Sequence, residues 1–363
     1  MILVVRLKSP NRLRGQNFFV LAQFLLFIFL LGCDQKTQPT IVKFNGATMG
    51  TSYHITLVSP PKSLSKGLVQ AETEKILQEL NRQMSTYIDD SEIMRFNQLP
   101  ADQWFVVPPE FFEVVQLSQS FSALSSGRFD ITSGPLIELW GFGRNFSSQV
   151  PAPEEIDLAM QKVGWQQLSL DAERNAIKKS SSLLALDVSA VAKGYAVDKI
   201  AEWLSKQSVD NFLVEIGGEI RVSGLNQRNM SWRIGIESPN LTPGRTKQRV
   251  YLSNSAIATS GDYRNYFEYD GQRYSHTIDP NTGYPVKHNI ASVTVIADTA
   301  AGADALATVL NVMGETDALA LARSEKLAVF FIFHDNQSTD NYRTEYTQSF
   351  AQYLSNSNIE GSP

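Results

Sequence analysis

A pair of adjacent glycines between two runs of alternating apolar and polar residues constrains the fold of this chain most. The segment NFLVEIGGEIRVSG, residues 211–224, predicts a strand, a Gly-Gly turn and a second strand, and SWRIGIE, residues 231–237, predicts a third. Strands joined by turns this short pair antiparallel, because a parallel pair needs a long crossover connection. We therefore expect a sheet that contains antiparallel hairpins.

The rest of the chain places helical patterns between further strands. We predict a strand pair over 43–58, single strands over 183–187 and 291–297, and helices over 66–84, after the capping residues Asp89, Asp90 and Ser91, over 110–126, within 151–168, from Ser189 and over 299–313. Strands occur singly and in hairpins and do not form a regular strand and helix repeat. This pattern favours an α+β fold with mixed or antiparallel sheets and packed helices.

The N-terminus has the pattern of a secretory signal. Basic residues precede an apolar run over 18–31, which is short for a bilayer span and typical of a signal peptide. The run ends in Leu-Leu-Gly-Cys, which resembles a bacterial lipobox, and Cys33 is the only cysteine, so it cannot form an internal disulfide. We interpret Cys33 as a lipidation site; the alternative is a chance thiol beside an anchor helix. Asp34 resembles the signal that retains lipoproteins at the inner membrane.

The composition argues against a nucleic-acid-binding protein. The chain has a net charge of −5 and no basic patch that stands out by composition, whereas binding to a phosphate backbone depends on many lysine and arginine contacts. It contains no Rossmann or P-loop fingerprint and no H-E-x-x-H, C-x-x-C or G-x-S-x-G motif. Several glycine-rich polar segments nevertheless have the composition of loops that approach a ligand, among them GATMGTSY, DITSGPLIELWGFG, DVSAVAKGYAVD, VEIGGEI and ATSGDYRNYF.

The segment YSHTIDPNTGYP, residues 274–285, is built to hold one conformation. Pro280 fixes its own φ, and Gly283 can adopt a positive φ. His276, one of four histidines, lies just before this turn. An imidazole has an unperturbed pKa of about 6.5, so His276 could accept a proton near neutral pH, or it could only brace the turn.

Eight motifs, in this order, resemble those of the ApbE-type flavin transferases, which are FAD:protein FMN transferases. They are MGTSYHI, MSTYIDDSEIMRFN, FDITSGPLIELWGFG, DVSAVAKGYAVD, NFLVEIGGEIRVSG, IATSGDYRNYF, YSHTIDPNTGYP and SVTVIADTAAGADALATVL. The resemblance covers about residues 44–335. It implies an enzyme that cleaves FAD with Mg²⁺ and attaches FMN to a threonine, or sometimes a serine, of an acceptor protein. It also implies two intertwined lobes with the flavin nucleotide site between them.

The residues suggest a place for Mg²⁺. Asp304 and Thr308 lie four residues apart on a predicted helix, so their oxygens share one face. The resemblance adds the backbone carbonyl of Ala190, makes these three the metal ligands and gives Asp304 a catalytic role. Ala307 stands where some relatives have a second aspartate, so the ion would have fewer carboxylates here. The alternative for Asp304 is a solvated carboxylate on the helix surface.

The resemblance also implies the FAD contacts. Asp187 would recognise the flavin nucleotide and Lys193 its phosphate region, at the start of a helix whose free amides favour anions. Lys193 could otherwise be an exposed helix lysine. Ile278 would contact FAD through its backbone. Because an imidazole can accept a proton near neutral pH, His276 is our candidate for the base that takes the proton from the target threonine. The remaining contacts implied are Met49, Tyr87, Trp140, Gly141 and Phe142.

The predicted organisation is a signal peptide at 1–32, a lipidated tether at 33–42, a flavin transferase domain at 43–350 and a polar tail at 351–363. We expect an enzyme that is lipid-anchored at the bacterial inner membrane and faces the periplasm. Its partners would be FAD and an acceptor such as a subunit of a membrane redox pump. Two alternatives remain open: an Mg²⁺-dependent FAD pyrophosphatase that gives FMN and AMP, and a non-catalytic FAD-binding lipoprotein.

Overall fold

The computed structural model describes residues 38–144, 146–239, 246–261, 266–338 and 341–355. The predicted signal peptide and residues 33–37 of the predicted tether, including Cys33, lie outside these residues. From Thr40 onward the described residues pack as one compact unit. The two predicted lobes therefore belong to a single domain.

The structure contains the two hairpins predicted over 43–58 and 211–224. The strands are β1 (Ile41–Thr48), β2 (Thr51–Val58), β3 (Phe105–Val106), β4 (Leu168–Asp171), β5 (Ala176–Lys179), β6 (Phe212–Ile216), β7 (Glu219–Ser223), β8 (Trp232–Glu237), β9 (Thr246–Leu252), β10 (Ser255–Gly261), β11 (Tyr266–Tyr269), β12 (Gln272–Ser275), β13 (Ile290–Ala297), β14 (Ala328–His334) and β15 (Tyr342–Tyr346). An eight-stranded sheet runs in the order β1-β2-β6-β7-β10-β13-β14-β15. Every neighbouring pair in it is antiparallel, as the hairpin pattern predicts.

The α-helices confirm the predicted helical segments. They are α1 (Lys66–Met84), α2 (Glu92–Asn97), α3 (Pro109–Leu124), α4 (Gly134–Leu139), α5 (Pro153–Met160), α6 (Ser189–Lys206), α7 (Ala300–Met313) and α8 (Glu315–Ser324). Side-chain caps set several of their starts. Ser91 accepts a hydrogen bond from the Met94 amide at 3.3 Å, and Thr299 accepts one from the Gly302 amide at 3.2 Å.

Residues 183–187 form no strand, contrary to the prediction. Leu186 instead bonds to the side chain of Asn97 in both directions, with its amide donating to Oδ1 at 2.7 Å and its carbonyl accepting from Nδ2 at 3.0 Å. The fully buried Lys179 donates from Nζ to the Leu184 carbonyl at 2.9 Å. Side chains thus satisfy the backbone groups that a neighbouring strand would otherwise pair.

Helices cover one face of the large sheet, and a smaller hairpin covers the other. On the helical face, α6 and α7 pack through apolar residues such as Ile200 and Leu310, both fully buried. On the other face, the β8–β9 hairpin and a 3₁₀ helix (Gln348–Tyr353) bury Phe350. Packed structure therefore extends from Ile41 to Tyr353, slightly beyond both predicted domain bounds.

The segment Ala300–Ser324 is long and apolar enough, by length and composition alone, to cross a membrane. It consists of α7 and α8, which Gly314 separates with a φ of +76°. Val309 and Leu310 of α7 are fully buried within the domain. The packing of this segment in the core accounts for its apolar sequence.

Candidate active site

The contact between α6 and α7 brings together the predicted metal ligands. Gly194 of α6 lies so close to the start of α7 that a Cβ atom there would be 2.4 Å from the Ala300 carbonyl oxygen. The Gly194 amide donates to Asp304 Oδ2 at 3.1 Å. In an α-helix the same amide faces the carbonyl of residue 190. The Ala190 carbonyl and the Asp304 carboxylate are therefore neighbours.

Asp198 of α6 fixes the first turn of α7. Its two oxygens accept hydrogen bonds from the amides of Ala300 and Ala301, both at 2.9 Å, and Arg221 Nη1 of β7 lies 2.7 Å from Oδ1. A carboxylate at a helix N-terminus satisfies free amides and interacts favourably with the helix dipole. Burial raises the pKa of Asp198, and these amides and Arg221 partly oppose that effect. Asp198 thereby ties the two helices and β7 together.

An open cavity of about 840 Å³ lies beside this helix pair. Its size falls within the range of small-molecule sites. Seven of the predicted site residues line it: Asp187, Ala190, Lys193, His276, Ile278, Asp304 and Thr308. They come from α6 and its leading segment, the 274–285 segment and α7, which are far apart in the chain. The fold therefore assembles the predicted catalytic centre in one place.

Two carboxylates act on the ammonium of Lys193. Glu219 Oε1, on β7, lies 3.1 Å from Lys193 Nζ. Burial disfavours the ammonium, but the charges of Asp304 and Glu219 outweigh burial and raise the pKa of Lys193. Burial, followed by the charge of Asp304, raises the pKa of Glu219 to about 7 against the effect of Lys193. Burial also raises the pKa of Asp304, while Lys193 and the Gly194 amide lower it. A cation bound here would offset the negative charge of these two buried carboxylates.

The donor atoms suit a hard cation. Asp304 is only 7% exposed, so it is not a solvated surface carboxylate, and Thr308 lines the same cavity one turn later. Carboxylate, hydroxyl and carbonyl oxygens are the ligands that Mg²⁺ prefers. Ala307 packs into the apolar cluster under β10 and β13, so position 307 faces the core and not the cavity. Among the residues that the structure describes, no group of three or more His, Cys, Asp and Glu side chains could hold a metal. The predicted site needs only one carboxylate.

The turn after His276 is closed by its own backbone and braced from α4. Gly283 has a φ of +78°, as its place in the turn predicts, and its amide donates to the Asp279 carbonyl at 2.8 Å. The Gly283 carbonyl accepts a hydrogen bond from Trp140 Nε1 at 2.8 Å. Ile278 pairs with Pro285 across the turn. The turn therefore holds His276 and Ile278 at the cavity wall.

Five predicted FAD contacts do not line this cavity: Met49, Tyr87, Trp140, Gly141 and Phe142. Trp140 is fully buried and supports the turn, whereas Tyr87 is 69% exposed. The ring of Phe142 meets His276 edge-on, with centroids 6.3 Å apart. Direct contact of these five residues with FAD stays a prediction. Trp140 and Phe142 act on the site through the segment that carries His276.

Met49 and Gly141 occupy backbone positions that restrict the residue type. Met49 and Gly50 form the two-residue turn between β1 and β2, with φ values of +47° and +73°, as a type I′ hairpin requires. Gly141 has a φ of +77°, and a Cβ atom there would lie 2.2 Å from the Ser147 carbonyl oxygen. Both residues shape loops near the site through their backbones.

The cavity also contains residues that the motif analysis did not single out. The β6–β7 register places Glu219 directly opposite Ile216. Because residues opposite each other in a hairpin share a face, and Ile216 is buried, the two-residue turn alone could have identified Glu219 as a buried acid. Arg128, which also lines the cavity, lies 3.4 Å from Asp279 Oδ2. Arg128 shortly precedes the segment DITSGPLIELWGFG, whose glycine-rich polar composition indicates a loop that approaches a ligand.

The fold and the site define an α+β protein in which a helix pair and an antiparallel sheet hold a ligand cavity with hard oxygen donors, a lysine and a histidine. Known proteins share this fold. The sequence profile of the ApbE family matches residues 49–331. The chain belongs to the ApbE family.

Individual relatives match over nearly their whole length. A Vibrio cholerae protein named FAD:protein FMN transferase is 40% identical over 341 residues, which are 94% of this chain and 99% of that protein. The Escherichia coli K12 protein of the same name is 35% identical over 350 residues, covering 93% and 98%. The solved structure of flavin transferase ApbE from Vibrio cholerae superposes with a TM-score of 0.80 at 38% identity, covering 87% of this chain and all (100%) of that one.

Proposed function

We propose that this protein is an FAD:protein FMN transferase. It cleaves FAD with Mg²⁺, attaches FMN through a phosphoester bond to a threonine or serine of an acceptor protein, and releases AMP. The observation that carries the proposal is the convergence of Asp304, Lys193 and His276 on one cavity large enough for a nucleotide. The names of the relatives support FAD as the donor and a protein as the acceptor.

The site residues divide the work of phosphoryl transfer, which depends mainly on positioning and on neutralising charge. Asp304, Thr308 and the Ala190 carbonyl would hold Mg²⁺, which when bound neutralises charge on the phosphate oxygens. Lys193 would provide a second positive charge beside the same phosphate oxygens. Asp187 and Ile278, which both line the cavity, would orient the nucleotide.

His276 accepts the proton of the attacking hydroxyl. The hydroxyl oxygen of the acceptor forms a bond to the phosphorus of the FMN half, the bond from that phosphorus to the bridging oxygen breaks, and AMP leaves with that oxygen. A base that is held in place contributes a rate factor of about 10² to 10⁴. The closed turn after His276 supplies that placement.

The decisive experiment supplies FAD, Mg²⁺ and a candidate acceptor domain and follows the acceptor by intact-mass spectrometry. We expect a mass gain equal to FMN on the acceptor and AMP in solution. Asp304→Asn, which removes one charge and keeps the side-chain shape, should abolish the gain. Conversion of FAD to FMN and AMP with an unmodified acceptor would identify a pyrophosphatase instead. Binding of FAD without cleavage would identify a non-catalytic FAD-binding lipoprotein.

We further infer that the mature protein is anchored by lipid on Cys33 at the inner membrane and faces the periplasm. The support is the lipobox-like sequence, the single cysteine and Asp34 after it. There the enzyme would reach acceptors such as a subunit of a membrane redox pump. Cys33→Ser should leave an unprocessed precursor. The same mature N-terminus and membrane fractionation as in the wild type would contradict the lipid anchor.

A further inference from the structure

The buried position of Glu219 costs folding free energy. Glu219 is only 4% exposed, and its Oε2 atom is buried without a hydrogen-bond partner among the described residues. Its Oε1 atom lies 3.1 Å from Lys193 Nζ. A buried carboxylate oxygen without a donor costs free energy, and a buried ion pair adds little net stability. The presence of Glu219 therefore points to a role in the site and not in folding.

The position of Lys193 indicates that role. The next residue, Gly194, donates its amide to Asp304 at 3.1 Å, so the Lys193 side chain begins beside that carboxylate. Lysine has a long flexible stem and a compact charge that pairs readily. Asp304 is the other carboxylate whose charge acts on the Lys193 ammonium, so we expect Lys193 to pair with Asp304 when Glu219 is absent. That pairing would occupy the oxygens that a cation needs.

We propose that Glu219 is a positioning residue that holds the Lys193 ammonium on the β7 side of the cavity and so leaves Asp304 to the cation. The idea rests on the proposed function, because it concerns the same cation site. Glu219 acts through Lys193 and is not itself a ligand. Its Oε2 is enclosed, and its Oε1 is paired with Lys193.

A double-mutant cycle on cation affinity tests this role without turnover. Mn²⁺ binding to the full-length protein, without FAD, is followed by electron paramagnetic resonance for the wild type, Glu219→Ala, Lys193→Met and the double variant. We expect Glu219→Ala to bind Mn²⁺ about tenfold more weakly, a coupling typical of contacting residues. The double variant should bind as tightly as Lys193→Met, because the competing ammonium is gone. Glu219→Gln, which keeps an oxygen for Lys193, should restore part of the affinity.

Glu215→Gln is a matched control. Glu215 also lines the cavity, but its carboxylate contacts His54 Nδ1 at 2.6 Å and the Gly218 amide at 2.7 Å and makes no contact with Lys193 in the described structure. Glu215→Gln removes the same charge, and the Mn²⁺ affinity should change less than about twofold, because Glu215 does not hold Lys193 and its side chain is more exposed than that of Glu219. Thermal melts of all variants check that each is folded.

Two results would overturn the proposal. Equal Mn²⁺ affinity in the wild type and Glu219→Ala would show that Glu219 does not keep Lys193 from Asp304. A double variant weaker than Lys193→Met would show that Glu219 acts on the cation directly. If the four proteins show the expected coupling in Mn²⁺ binding but the wild type transfers no FMN, the proposed function fails and the positioning role stands. If it transfers FMN without the coupling, only the positioning role fails.

Discussion

Replacing Gly194 by alanine should displace α7 from α6 and lower the rate of FMN transfer while the protein stays folded. The added Cβ would lie 2.4 Å from the Ala300 carbonyl oxygen, 2.6 Å from its carbon and 2.8 Å from Ala301 Cα. All three are backbone atoms, so no side chain can rotate away. Real Cβ contacts essentially never fall below 3.0 Å, so α7 has to move by about 0.6 Å.

The stability change is the difference of two effects. Overpacking costs about 1 to 3 kcal/mol, whereas alanine is favoured over glycine within a helix by about 1 kcal/mol. We therefore expect a loss of about 0 to 2 kcal/mol in the free energy of unfolding. The functional cost is larger, because the shift lengthens the 3.1 Å bond between Gly194 and Asp304 and the 2.9 Å bonds from α7 to Asp198. A misplacement of about 1 Å can cost about 10²-fold in rate.

Thermal denaturation and the FMN transfer rate at saturating FAD and Mg²⁺ measure the two effects separately. Gly67→Ala is the matched control, because Gly67 lies in α1 and a Cβ atom there meets nothing within 4 Å. It should leave the transfer rate unchanged and raise the melting temperature slightly, because alanine is favoured over glycine within a helix and meets no clash here. Transfer by Gly194→Ala at the wild-type rate would refute the argument that this contact sets the geometry of the cavity.

Three further predictions follow from the same geometry. His276→Ala should lower transfer by about 10² to 10⁴ while FAD affinity changes little; parallel losses in FAD titration and single-turnover transfer would show that His276 only braces the turn. Trp140→Phe removes the buried donor to the Gly283 carbonyl and should cost about 1 to 3 kcal/mol in denaturant unfolding, so an unchanged midpoint would contradict that bond. In EDTA, the unfolding free energy of the wild type should fall relative to Glu219→Gln between pH 4.5 and pH 7. The folded pKa of Glu219 is raised, so its contribution is present below the unfolded value and lost as pH rises; parallel pH profiles would exclude the shift.

Local pattern was sufficient for most elements and for placing Asp304 and Thr308 on one helix face. The alternating runs around Gly217 and Gly218 predicted the β6–β7 hairpin, and helical spacing predicted α6 and α7. The four-residue spacing of Asp304 and Thr308 placed both on one helix face, and both line the cavity. These predictions succeeded because hydrogen bonding within a hairpin or a helix is set by neighbours in the chain.

Features that depend on distant partners could not be derived in this way. Residues 183–187 have the apolar composition of a strand, but Asn97 and Lys179 satisfy their backbone and prevent it. Trp140 belongs to a motif associated with FAD, yet its indole is buried against the turn after His276. Partners remote in sequence, Asn97 for Leu186 and Gly283 for Trp140, contributed to both outcomes.

The sequence by itself determined the α+β architecture, because periodicity and turn chemistry are local properties, and its motifs supplied the candidate site residues through their resemblance to a known family. Only the tertiary structure decided how the charges are distributed among them. It pairs Glu219 with Lys193, bonds Asp198 to the first turn of α7 and buries Ala307 in the core. Electrostatic strength depends on burial and on distances between segments far apart in the chain, and packing alone sets those.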